Sequence, residues 1–115
     1  MAEHLICNWT GASGASYKFY IWELPVNFNE GQNGNYIYSK RNAAGRWVPI
    51  YIGQGDLKDR SENHHKSSCI SSKGATHIHV HLNSTENDRL TEEQDLLAFY
   101  KNAYTPLGCN EKEWG

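Results

Sequence analysis

The chain has 115 residues, enough for one domain that buries a core without covalent staples. Hydrophobic residues make up 38%, charged residues 21% and aromatic residues 12%, a globular profile that excludes a disordered chain. The formal net charge of -2 counts against a protein that simply coats nucleic acid, but not against an enzyme with a local basic cleft.

The N-terminus lacks the basic and apolar regions of a signal peptide, and no apolar run approaches the roughly 20 residues of a membrane span. The three cysteines, Cys7, Cys69 and Cys109, show no CxxC spacing and give no disulfide framework. Reduced thiols in a soluble, cytoplasmic protein are therefore expected.

Residues 10–16 are small and read as a loop. Tyr17 to Leu24 is aromatic and β-branched, which predicts a strand ended by Pro25. It falls in an N-terminal extension, residues 1–33, and is expected to be an added edge strand. Asn27 to Gly34 is turn-rich. Asn35 to Lys40 is the next predicted strand and Arg46 to Gly53 the one after, with a turn at Asn42–Gly45, so an antiparallel hairpin is expected. Pro49 has no amide to donate, so it should sit at a bulge or turn its nitrogen outward.

Asp56 is a candidate N-cap for a helix running to about His65, with Asp59 in its first turn. Leu57, Arg60 and His64 then share one face. Cys69 to Gly74 reads as a Ser-rich loop, and Ala75 to Leu82 alternates as a strand. The last helix is expected over about Glu86 to Ala103. At about 100° per residue, Leu90, Leu96, Leu97, Phe99 and Tyr100 form its apolar arc. Glu93 falls near the middle of that arc and Glu92 at its edge. A carboxylate on an apolar face needs a partner, a proton or a metal.

Tyr36-Ile37-Tyr38 and Tyr51-Ile52-Gly53 thus lie on paired strands, Arg60 on the following helix and Glu93 on a later one. This ordered set resembles the GIY-YIG nuclease superfamily, which includes excision-repair nucleases, homing endonucleases and some restriction enzymes. Leu57 and Arg60 match the family's helix signature and His64 a histidine often found one turn later. Glu93 followed by Leu96-Leu97 and Tyr100 matches its metal-binding segment, and Pro106 and Asn110 its closing pair. The likeness covers about residues 34–110 of a single domain, residues 1–115. Tyr36 stands where the family has Gly. The turn before Arg60 is about one residue shorter than is common in the family, and the stretch from Tyr100 to Asn110 is longer.

The resemblance implies an α/β fold, an α+β sandwich with a small, mostly antiparallel sheet flanked by helices. It implies a metal-dependent endonuclease acting on DNA. Glu93 would hold one divalent ion, Mg²⁺ or Mn²⁺, and Arg60 would clamp the scissile phosphate. Tyr38, Tyr51 or His64 would serve in proton transfer, a choice left open at this stage. Lys58, Lys66 and Asn110 are the expected substrate contacts. Specificity would come from the N-terminal extension, a homodimer or a protein partner; no membrane is involved. Two other readings stay open: a non-cleaving nucleic-acid-binding module, and a zinc-stabilised interaction domain using the alternating His77, His79 and His81.

Overall fold

The computed structural model describes residues 5–62, 64 and 66–111. Strands β1 (Leu5–Thr10), β2 (Ser16–Glu23), β3 (Asn33–Arg41), β4 (Trp47–Asp56) and β5 (His77–Leu82) form one antiparallel sheet in the order β1-β2-β5-β3-β4. Helices α1 (Leu57–Glu62) and α2 (Ser67–Ser72) follow β4, and α3 (Glu86–Phe99) follows β5. A 3-10 turn, Lys101–Ala103, closes α3.

Strand alternation splits the core in two. On one face Tyr36, Tyr38, Ile50, Ile78 and Val80 pack with Leu57 of α1 and Ile70 of α2. On the other, Trp9, Phe19, Ile37 and Ile52 pack with Leu96 of α3 and Ala103. The predicted sandwich, a mostly antiparallel sheet with helices, is what the chain forms.

Three local expectations need correction. Tyr17 to Leu24 is not an edge strand: Leu5–Thr10 pairs outside it, and β2 lies between β1 and β5. The hairpin between them closes on α3, where Asp95 accepts from the Ser13 amide at 2.8 Å and the Ser13 hydroxyl at 2.7 Å. The Ser-rich stretch is a helix, not a loop. Ile70 is its buried anchor, and Gly74 at φ +83° lets its amide cap the Ser71 carbonyl. The helix expected to reach His65 ends at Glu62. Its start is as predicted, with Asp56 Oδ1 accepting from the Asp59 amide at 2.9 Å.

Cys69 of α2 and Cys109 are joined as a disulfide, and the free thiol among the described cysteines is Cys7. The expectation of three reduced thiols fails, because the fold brings together two cysteines 40 positions apart. The thiol-based ground for a cytoplasmic setting goes with it. No helix among the described residues is long and apolar enough to cross a membrane.

Candidate active site

The candidate site begins at the β3–β4 hairpin. Tyr38 pairs with Tyr51, but Ser39 pairs with Pro49, so Ile50 is the extra residue of a bulge. Pro49 therefore sits beside a bulge on an edge strand, where a missing amide does least harm. The bulge puts Ile50 and Tyr51 on the same core face, so Tyr51 joins Tyr36 and Tyr38 there.

Tyr36 fits on its strand because its cross-strand partner is Gly53. A Cβ at Gly53 would lie 2.5 Å from the Tyr36 Oη, so the ring lies across bare backbone. Tyr36 and Tyr51 then stack at 6.1 Å and 21°. Gly55 serves Arg60 in the same way: its φ is +138°, and a Cβ there would meet the Arg60 Nε at 2.7 Å. Arg60 itself is exposed at its place on α1.

His64 lies at the hub of the tyrosines. The rings of Tyr36, Tyr38 and Tyr51 all meet it edge-on, at 5.8, 5.9 and 4.6 Å. The Lys66 amide donates to its Nδ1 at 3.0 Å, and its Nε2 lies 2.7 Å from the Tyr36 Oη. An amide N–H only donates, so Nδ1 must offer its lone pair and the ring proton sits on Nε2. His64 Nε2 thus donates to the Tyr36 oxygen. With both nitrogens engaged, the imidazole orients Tyr36 and is a poor base for a substrate water. That answers against His64 in the proton-transfer choice left open by the sequence.

Burial raises all three tyrosine pKa values above the usual 10. For Tyr51, burial is the main cause; Glu93 and Glu111 push the same way and Arg60 opposes them. Arg60 also opposes the rise at Tyr36, to which Glu93 contributes weakly. Arg60 of α1 and Glu93 of α3 thus both bear on the Tyr51 hydroxyl of β4. Tyr51 and Glu93 open onto a common groove of about 890 Å³, whose walls include Lys66, Lys101, Asn110 and Glu111.

Glu93 does not lie on the inward face of α3, contrary to the position expected for it on an apolar arc. Glu92, not Glu93, points into the core: it is 3% exposed, and its carboxylate meets the His81 Nδ1 at 2.8 Å. Glu93 is half-buried and faces the groove. The inward stripe of α3 is Arg89, Glu92 and Leu96. Two polar members occupy it because each has a partner: Glu92 has His81, and Arg89 has Gln54 at 3.1 Å and the Asn83 carbonyl at 2.9 Å. An arc drawn through apolar residues alone was rotated away from it.

The expected substrate contacts divide. Lys66 lines the groove and pairs with Glu111. Lys58 pairs with Glu62 four residues on and lies outside the groove walls. Asn110 reaches the groove, but its amide is committed to backbone. Its Oδ1 accepts from the Ile52 amide and its Nδ2 donates to the Ile52 carbonyl, both at 2.9 Å. It acts as a substitute strand on the edge of β4, so its first task is to hold the C-terminal segment against Ile52. Glu111, which the sequence did not single out, stands on the groove wall instead and weighs on Tyr51.

On the histidine strand, His79 and His81 are held by neighbouring side chains. Trp9 donates to the His79 Nδ1 at 2.9 Å, and Ser39 Oγ lies 2.8 Å from its Nε2, so neither nitrogen is open to zinc. His81 is turned to Glu92. Among the described residues, no three His, Cys, Asp or Glu side chains gather to hold a metal. No family model, curated protein or solved structure matches the chain.

Proposed function

We propose that the chain is a metal-dependent endonuclease of the GIY-YIG type, hydrolysing phosphodiester bonds in DNA at the groove between β4 and α3. One observation carries this reading. Arg60 of α1 and Glu93 of α3 both bear on the Tyr51 hydroxyl, and Tyr51 and Glu93 face one groove whose walls include Lys66 and Lys101.

The donor chemistry fits a hard cation. Glu93 is a groove carboxylate, and Mg²⁺ accepts one or two carboxylates while keeping its waters, so a cluster of three ligands is not required. When bound, such an ion neutralises charge on the phosphoryl oxygens and acidifies a water. The chain's own residues divide the rest. Arg60, with its side chain across Gly55, offers a guanidinium fork to a phosphate. Tyr51 stays protonated at neutral pH, so its hydroxyl holds and orients a water rather than taking its proton. Tyr36 and His64 fix the wall against which Tyr51 stacks. Lys66, paired with Glu111, and Lys101 offset the Glu93 and Glu111 carboxylates in the groove walls, so that a bound cation would tip the balance toward a phosphate.

The test is nicking of plasmid and branched DNA with Mg²⁺ or Mn²⁺. Wild type should cut, and Glu93→Ala and Arg60→Ala should each lose at least about 100-fold, the scale of removing one transition-state contact. A folded wild type that cuts nothing across substrates and metals, but binds DNA with strong salt dependence, would favour the non-cleaving module instead.

A further inference from the structure

One ion pair stands in the walls of the groove. The Lys66 Nζ meets the Glu111 Oε1 at 2.5 Å, and both residues line the groove together with Tyr51 and Glu93. We propose that the Lys66 ammonium is a phosphate contact for DNA, and that the Glu111 carboxylate stands in for that phosphate until the strand displaces it. This rests on the nuclease reading for its ligand, but not for the geometry of the pair.

The two partners are held differently. The Lys66 amide donates to the His64 Nδ1, and the His64 ring meets the Tyr51 ring edge-on at 4.6 Å. The lysine backbone is therefore fixed one ring away from Tyr51. Its side chain is 22% exposed, against 68% for Glu111. A carboxylate mostly in water keeps its hydration in either place, so Glu111 is the exchangeable member. An ammonium is a compact point charge, and it takes a carboxylate or a phosphate oxygen at the same position.

Nor does the fold need this pair as a clasp. α2 and the C-terminal segment are already joined by the Cys69–Cys109 disulfide, which closes just after Lys66 and just before Glu111. The Lys73 Nζ also donates to the Pro106 carbonyl at 2.6 Å. So tethered, Glu111 faces Lys66 at high effective concentration. A small free anion must compete with it alone, whereas a DNA phosphate arrives with its neighbours bound elsewhere in the groove. Glu111 also pushes the Tyr51 pKa up, so the exchange takes place within reach of the hydroxyl assigned to the water.

The experiment measures binding of a labelled DNA duplex by anisotropy over a range of salt, in EDTA so that nothing is cut. Glu111→Gln keeps the shape of an exposed side chain and removes its charge. It should tighten binding about three- to fivefold, the worth of such a pair. Lys66→Gln should weaken binding and lower the slope of log K against log salt by about 0.9, one phosphate contact. Lys66→Arg should keep the wild-type slope. In the Lys66→Gln background, most of the gain from Glu111→Gln should vanish. An equal gain in both backgrounds would overturn the proposal, since Glu111 would then act only as a negative charge in the wall. So would no gain in either, or a slope that Lys66→Gln leaves unchanged. If Lys66→Gln fails to fold, NMR of the Glu111 carboxyl carbon in the wild type carries the test. It should move toward the shift of a solvated carboxylate as DNA binds, and a carbon that stays in place would refute the exchange. Cleavage with none of this coupling sinks the proposal and leaves the nuclease standing; coupling without cleavage under any metal does the reverse. Absence of DNA binding by every variant, in EDTA and in Mg²⁺, overturns both.

Discussion

Breaking the Cys69–Cys109 bond should cost this domain a large part of its stability while leaving its fold in place at room temperature. The bridge spans 40 positions. Closing a loop of that length removes about 13 cal/mol/K of chain entropy from the unfolded state, or about 4 kcal/mol at 25 °C. A domain of this size has only about 5–15 kcal/mol in total. Tm should fall by about 15 °C, taking about 4 °C per kcal/mol. The native state should survive at 25 °C because the segment beside Cys109 has other attachments. The Cys109 amide donates to the Ile50 carbonyl at 2.7 Å, and the Asn110 side chain makes both of its bonds to the Ile52 backbone. The assay is urea unfolding of the oxidised protein, the reduced protein and the Cys69→Ala/Cys109→Ala double variant. Thiol titration after denaturation without reductant should find one thiol, Cys7. Three thiols in protein never exposed to reductant, or an unfolding midpoint unchanged by reduction, would refute the reasoning.

Two further expectations concern titration. Glu93 raises and Arg60 lowers the Tyr51 pKa, so Glu93→Gln should move it down and Arg60→Gln up, followed by NMR of the tyrosine ring. A Tyr51 that responds to neither change would separate these groups and remove the main support for a shared site. Burial holds the His79 pKa down at about 3, against about 6.5 when unfolded. The sign follows: His79 contributes its full stability above pH 6.5, and that contribution drains as pH falls toward 3. The loss should approach about 1.4 kcal/mol per pH unit. Urea midpoints at pH 7 and pH 5 check this, and His79→Gln should flatten the difference; a His79 ring that titrates near 6.5 by NMR would contradict it.

Much of the scaffold was legible in the residues. The β3–β4 hairpin and the Asp56 cap were readable, and Pro49 narrowed its own surroundings to a bulge or an outward nitrogen, because period, turn chemistry and capping act between near neighbours. Arg60 and Glu93, singled out in sequence with Tyr51, both bear on the Tyr51 hydroxyl in the fold. Tertiary structure decided what depends on partners far along the chain. It turned Glu92 inward instead of Glu93, because His81 on β5 satisfies a buried carboxylate and no helical arc encodes that. It joined Cys69 to Cys109, committed the Asn110 amide to the Ile52 backbone, and locked His79 between Trp9 and Ser39. Each is a polar or covalent contact whose two halves the sequence keeps apart, so hydrophobic periodicity, which reports burial, has no means of pairing them.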